Sequence, residues 1–203
     1  VVLAIAGARE AARAGVEAVA VRTIAAVIEH RKSAPRVSET GLARQLAALG
    51  RLEKRGLTIL PVRYGTVAQS EAEIRSLLAP QAAALKSALA IVRGRRQMTI
   101  RVRGTRAPGR PATGAAYLAS RVAAAHIPEA DLLRRAVSAF VVEERVDPPS
   151  RQGFLGTVFH LIGADDVARY KDAASALPET SHLMISGPMI PFAFAPPLDG
   201  SAT

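Results

Sequence analysis

Leu57-Thr58-Ile59-Leu60-Pro61-Val62-Arg63-Tyr64-Gly65-Thr66 is the stretch on which the reading of the fold turns. Leu57, Ile59 and Val62 are apolar and Thr58 and Ile59 are β-branched, the side chains that pack well on a pleated surface. Pro61 has no N–H for a ladder, so it marks a strand edge, a bulge or a strand end. Gly65 permits a backbone angle that other residues resist. The spacing predicts a buried strand that bends at Pro61 and turns at Gly65, with Arg63 and Tyr64 presented near the bend.

Helices are predicted on both sides of this strand. Before it, Leu42, Leu46, Leu49 and Leu52 recur at spacings of three and four, one apolar stripe of a helix over 40–55 that Gly56 caps. After it, Ser70-Glu71-Ala72-Glu73 has capping-box spacing and opens a helix to about Val92. Pro80 falls inside that helix and predicts a kink or a late start. Further upstream, Val1–Ala6 is a continuous apolar run, expected to be a strand buried on both faces rather than a leader. Val16–Arg22 and Ile24–Ile28 predict two adjacent strands joined at Arg22-Thr23. Downstream, Met98–Arg103 alternates apolar and charged residues, a strand with one wet face.

The second half repeats the scheme in part. A helix is expected over 115–125, another over 129–136, strands over 137–146 and 154–162, a helix from Asp165, and a last strand Leu183–Ser186. The tail after Pro196 reads as disordered. Gly104–Gly114 is rich in Gly, Pro and Arg and has the composition of a linker. The expected organisation is therefore α+β, with two small domains at 1–104 and 115–203 and a linker at 105–114. Each domain is expected to be a modified ferredoxin-like mixed sheet with helices packed on one face.

Composition narrows the function. The absence of Cys excludes disulfide scaffolds, thiol catalysis and cysteine-ligated metals. The net charge of +10 is concentrated where no Asp or Glu occurs from Ile74 to Pro128, a stretch that holds Arg93, Arg95, Arg96, Arg101, Arg103, Arg106, Arg110 and Arg121. That charge raises the reading of a basic α/β nucleic-acid-binding protein. A sheet that binds RNA presents aromatic side chains to the bases, and Met98–Arg103 has none, so nucleic acid is disfavoured. No apolar run approaches the roughly 20 residues of a membrane-spanning helix.

Three separated pieces carry a resemblance. Leu60–Val67 reads LPVRYGTV, Gly114–Arg121 reads GAAYLASR, and Ser186–Ala195 reads SGPMIPFAFA. They resemble, in order and spacing, the LP-[VL]-R-[FY]-GTV, G-x-x-YL-x-x-R and [ST]-GPWPPYSFA segments of the gas-vesicle protein F/L family. Ile24–Ile28 and Gly94–Val102 are similar to two of its strands. Met189, Ile190, Phe192 and Ala193 stand where the family has Trp, Pro, Tyr and Ser, so the tail stays apolar but loses two polar handles.

The resemblance implies a cytoplasmic, vesicle-associated accessory protein of gas-vesicle formation that is not an enzyme. It also implies two ferredoxin-like domains, no cofactor, and as partners the major hydrophobic shell protein and other gas-vesicle proteins. The residues themselves offer Leu60, Arg63 and Tyr64 in the first segment and Met189, Ile190, Phe192 and Phe194 in the last as candidates for a partner contact, against the alternative that Arg63 pairs internally, Tyr64 packs between sheet and helix, and the apolar residues of the tail are core or inter-domain packing.

No residue pattern argues for catalysis. His30, His126, His160 and His182 have no metal-ligand spacing and read as surface or strand-end residues. Glu143-Glu144 and Asp165-Asp166 are sequence neighbours, which do not share a face of a strand or helix. No nucleophile elbow or phosphate loop is present.

Overall fold

A computed structural model describes residues 1–31, 33, 35–105, 126–149, 152–178 and 181–198. The chain divides into two compact units, Val1–Gly94 together with Ile190–Thr203, and Arg95–Met189.

The first unit runs β1 (Val2–Gly7), α1 (Ala8–Arg13), β2 (Ala18–Val21), β3 (Ile24–Ile28), α2 (Glu39–Lys54), β4 (Ile59–Pro61), α3 (Glu71–Leu78) and α4 (Ala82–Val92). Its sheet has the order β2-β3-β1-β4, and every pairing is antiparallel. A β-α-β-β-α-β chain with this order is ferredoxin-like. Arg22, at φ 55°, makes the tight link between β2 and β3. Ser38 caps α2 by accepting from the Gly41 N–H at 3.1 Å. Ser70 caps α3 by accepting from the Glu73 N–H at 3.2 Å. Pro80 separates α3 from α4, as its missing donor requires.

The apolar run of β1 is covered on both sides. Ala4 and Ala6 pack with Ala11 of α1 and Leu49 and Leu52 of α2. Ile5, which alternation places on the opposite side, is also buried. The added helices α3 and α4 pack against β2 and against β1, β3 and β4, respectively. This sheet therefore carries helices on two faces, where one covered face was expected.

The second unit repeats the order. It comprises β5 (Arg95–Arg103), α5 (Asp131–Val137), β6 (Val141–Asp147), β7 (Phe154–Gly163), α6 (Val167–Ser175) and β8 (Leu183–Met189). The sheet order is β6-β7-β5-β8, again antiparallel throughout. Antiparallel pairing thus replaces the expected mixed sheets, because each split β-α-β unit receives an oppositely running strand between its two parallel members. Met98, Ile100, Val102 and Val158 form the core with Leu133 and Val137 of α5 and Tyr170 and Ala174 of α6.

The expected domain limits change accordingly. β5 was placed at the end of the first domain, but it pairs with β7 on one side and β8 on the other, and is the first strand of the second unit. The boundary lies at Gly94, a glycine with φ 66°, rather than in the Gly/Pro/Arg segment. The tail, expected to end the second domain, returns to the first from Ile190. Leu198 is buried and its carbonyl accepts from Gln81 Nε2 at 3.3 Å, which corrects the expected disorder after Pro196 for 197–198, and the rest of that tail, 199–203, lies outside the described residues. Most of the expected linker and the helix over 115–125 lie outside the described residues, as does the Gly114–Arg121 segment.

Candidate functional site

The stretch from Leu57 onward forms the edge of the first sheet. Ile59, Leu60 and Pro61 pair with Ala6, Ile5 and Ala4. The Val62 N–H donates to the Leu3 carbonyl at 3.2 Å, and the Val62 carbonyl accepts from the buried Gln45 Nε2 at 3.0 Å. The chain then turns. The Arg63 carbonyl accepts from both the N–H (3.2 Å) and the hydroxyl (2.9 Å) of Thr66, with Gly65 at φ 87° between them. The Tyr64 hydroxyl donates to the Arg36 carbonyl at 3.2 Å. It lies so close to the first turn of α2 that a Cβ on Gly41 would collide with it. The strand-kink-turn segment is thus a clasp that fixes the start of α2 and leaves the Arg63 side chain exposed.

The last segment, from Ile190 on, comes to the same edge. Met189 ends β8, where its sulfur accepts from Gln97 Nε2 and Thr99 Oγ1, each at 3.6 Å. Ile190 enters the core of the first unit with Leu49, Leu52, Leu57 and Ile59. Phe192–Phe194 form a 3-10 turn that contacts β4. Phe194 points inward at 2% exposure, and Phe192 points outward at 39%.

The structure therefore joins two of the three segments that carry the resemblance and sorts their seven candidate residues. Leu60, at 1% exposure, Ile190 and Phe194 are core side chains and offer no surface, so for these three the packing alternative holds and not the partner contact. Tyr64 and Met189 are half-buried and already hydrogen-bonded. Arg63 and Phe192 remain exposed. Two apolar residues expected in the core are also exposed: Leu42 at 42% and Leu46 at 53%, on α2. Their stripe continues into buried Leu49 and Leu52, so spacing alone did not separate them. The buried face of α2 is Gln45, Ala48, Leu49 and Leu52, displaced from the leucine stripe, and the polar Gln45 gave no sequence signal for it because its burial depends on the Val62 carbonyl.

A polar chain in the second unit was not foreseen. His160, 1% exposed, stands opposite Glu144 in the β6–β7 pairing, so it is a buried strand residue and not a surface one. Its Nε2 lies 2.9 Å from Glu144 Oε2, and its Nδ1 lies 2.7 Å from the Tyr170 hydroxyl. A carboxylate only accepts, so Nε2 carries the proton and Nδ1 accepts from Tyr170. Arg134 Nε donates to both Glu144 oxygens, at 3.0 and 3.1 Å, and an Arg134 terminal nitrogen donates to Asp131 at 2.7 Å. Tyr170 is fully buried, and burial pushes its phenol well above the usual range. The chain is closed on itself and ties α5, β6, β7 and α6 together.

Its proton chemistry has a stability consequence. Burial holds the His160 imidazole below its ordinary value of 6.5, although the Glu144 carboxylate pulls the other way. The native ring is neutral, whereas the unfolded ring takes up a proton as pH falls through 6.5. The contribution is present above that value and is lost as pH falls through the folded one. His160→Gln is expected to flatten the fall in melting temperature measured between about pH 7.5 and pH 5.5, a window above the carboxylate range. Equal slopes in the two proteins would contradict this.

Among the described residues no three His, Asp or Glu side chains gather as metal ligands do, and no described helix is long and apolar enough to cross a membrane. The two antiparallel units define a two-domain ferredoxin-like α+β protein. The chain belongs to the gas vesicle synthesis protein GvpL/GvpF family, whose profile it matches over residues 4–196. Its fold is similar to that of the gas vesicle protein GvpF from Anabaena sp. PCC7120, with a TM-score of 0.67 at 15% identity over 89% of this chain and 85% of that one. It is equally similar to GvpF from Microcystis aeruginosa, with a TM-score of 0.66 at 15% identity over 89% and 88% of the two chains. No curated protein matches it by sequence. Membership places the protein in gas-vesicle formation.

Proposed function

We propose that the protein is a non-catalytic accessory factor that holds the major gas-vesicle shell protein, together with other gas-vesicle proteins, during assembly in the cytoplasm and at the vesicle. The observation that carries this reading is the meeting of the β4 edge with the Phe192–Phe194 turn, which leaves Phe192 facing outward. A very apolar subunit must be shielded from water before it assembles, and exposed apolar side chains supply that shielding. Leu42 and Leu46 on α2 add exposed apolar surface in the same unit. Arg63, exposed at the turn that follows β4, supplies a charge for orientation.

The test is co-expression of the tagged full chain with the major shell protein, followed by affinity purification without detergent. Retention of the shell protein in soluble form is the expected result. Its complete absence from the eluate, with the chain itself folded and soluble, would overturn the reading.

A further inference from the structure

A cleft of about 350 Å³ opens beside α2 in the first unit, away from the Leu42/Leu46 side of the helix. Its floor is aliphatic, with Leu3, Val16, Val27 and Leu52 among the lining side chains. One wall carries Arg44, Arg51 and Arg55, spaced by seven and four residues and so aligned along one flank of the helix. All three are exposed, and among the described residues none of the three guanidinium groups hydrogen-bonds or ion-pairs with a carboxylate. Two acids also line the cleft, but each has a partner of its own. Glu17 lies 2.7 Å from His30 Nε2, and Glu29 accepts from Arg31 at 2.9 Å. Arg44 also helps, after Arg31, to hold the Glu29 carboxyl below the usual range, whereas Arg51 and Arg55 line the cleft with no carboxylate hydrogen-bonded or ion-paired to them among the described residues.

We infer that this cleft binds an acidic amphipathic segment of a partner protein. At about 1.5 Å per residue the three arginines span roughly 16 Å, too far for one small anion to bridge and the right length for a few turns of helix. The aliphatic floor suits the apolar face of such a segment, and the arginines suit carboxylates along its edge. Single-stranded nucleic acid is the weaker fit, because it binds by stacking on aromatic rings and no aromatic residue lines the cleft. The site is separate from the proposed shell contact, and its residues are not among those assigned to it.

The experiment uses the full chain and a fluorescein-labelled peptide of about 18 residues, with Glu along one edge of its helix and Leu along the adjoining face. Anisotropy at low salt is expected to show binding that weakens about tenfold in Arg44→Gln/Arg51→Gln/Arg55→Gln. A control, Arg9→Gln/Arg13→Gln/Arg36→Gln, removes the same charge from exposed positions outside the cleft and is expected to leave binding unchanged. Arg51→Gln alone, at an exposed helix position, is expected to weaken binding in the same direction without altering the melt. Three results would overturn the inference: no binding by the unmodified chain, equal loss in both triple variants, or tighter binding of oligodeoxythymidylate than of the peptide. The shell co-purification is expected to be unaffected by the cleft variants, so failure of one reading is distinguishable from failure of the other.

Discussion

Phe194→Ala is expected to lower the melting temperature by roughly 10 °C. Truncating a buried Phe costs about 3–5 kcal/mol, and in a chain of this size each kcal/mol moves the midpoint by about 2–4 °C. Phe194 is 2% exposed and sits in the turn that packs on β4, so the loss falls on the edge strand and on the tail that covers it. Phe192→Ala, two residues earlier at 39% exposure, is expected to leave the melt nearly unchanged. Surface substitutions of that kind usually stay within about 0.5 kcal/mol. Differential scanning fluorimetry of the two variants side by side checks the assignment. Equal effects would mean that the inward and outward roles are wrongly divided.

Gly156→Ala is expected to destabilise the second unit by roughly 2–5 kcal/mol, from the combined cost of backbone strain and overpacking. Gly156 lies in β7, the strand between β5 and β6, at φ +152°. A Cβ there would come within 2.8 Å of the Asp147 carbonyl oxygen and 2.7 Å of Ile127 Cδ1. The Ile127 side chain can yield, but the Asp147 backbone belongs to the neighbouring strand and cannot. Gly50→Ala makes the control, since a Cβ at that helical position meets nothing within 4 Å and Ala favours helix. Chemical denaturation read by circular dichroism should separate the two. A Gly156→Ala protein as stable as the parent would show that β6 and β7 do not approach as closely as described.

Local chemistry was legible where a residue decides its own neighbourhood. Pro61 ended a strand, Gly65 made a turn, Ser70 capped a helix and Pro80 broke one. β1 was read as buried on both faces because its apolar run does not alternate, and it is. What could not be read depended on distant partners. The alternation in β5 shows that one face is wet, but not that β7 and β8 flank it, so a strand of the second unit was counted with the first.

The same limit hid the His160 chain. Glu144 and Tyr170 are 16 and 10 residues from the histidine, and only the β6–β7 register and the return of α6 bring them within hydrogen-bond distance. In the candidate site, residue types pointed to the right segments, but Phe192 and Phe194 are alike in sequence. Only the 3-10 turn, with its three-residue period, sends one inward and the other out.

The most direct measurement of the proposed shell contact is the amount of major shell protein that co-purifies with Phe192→Ser relative to the unmodified chain. Both proteins are to be held at equal concentration and shown to melt alike. A loss of capture by about tenfold or more, as expected for an apolar anchor worth over 1.4 kcal/mol, supports the contact. Undiminished capture by a fully folded Phe192→Ser protein would contradict it.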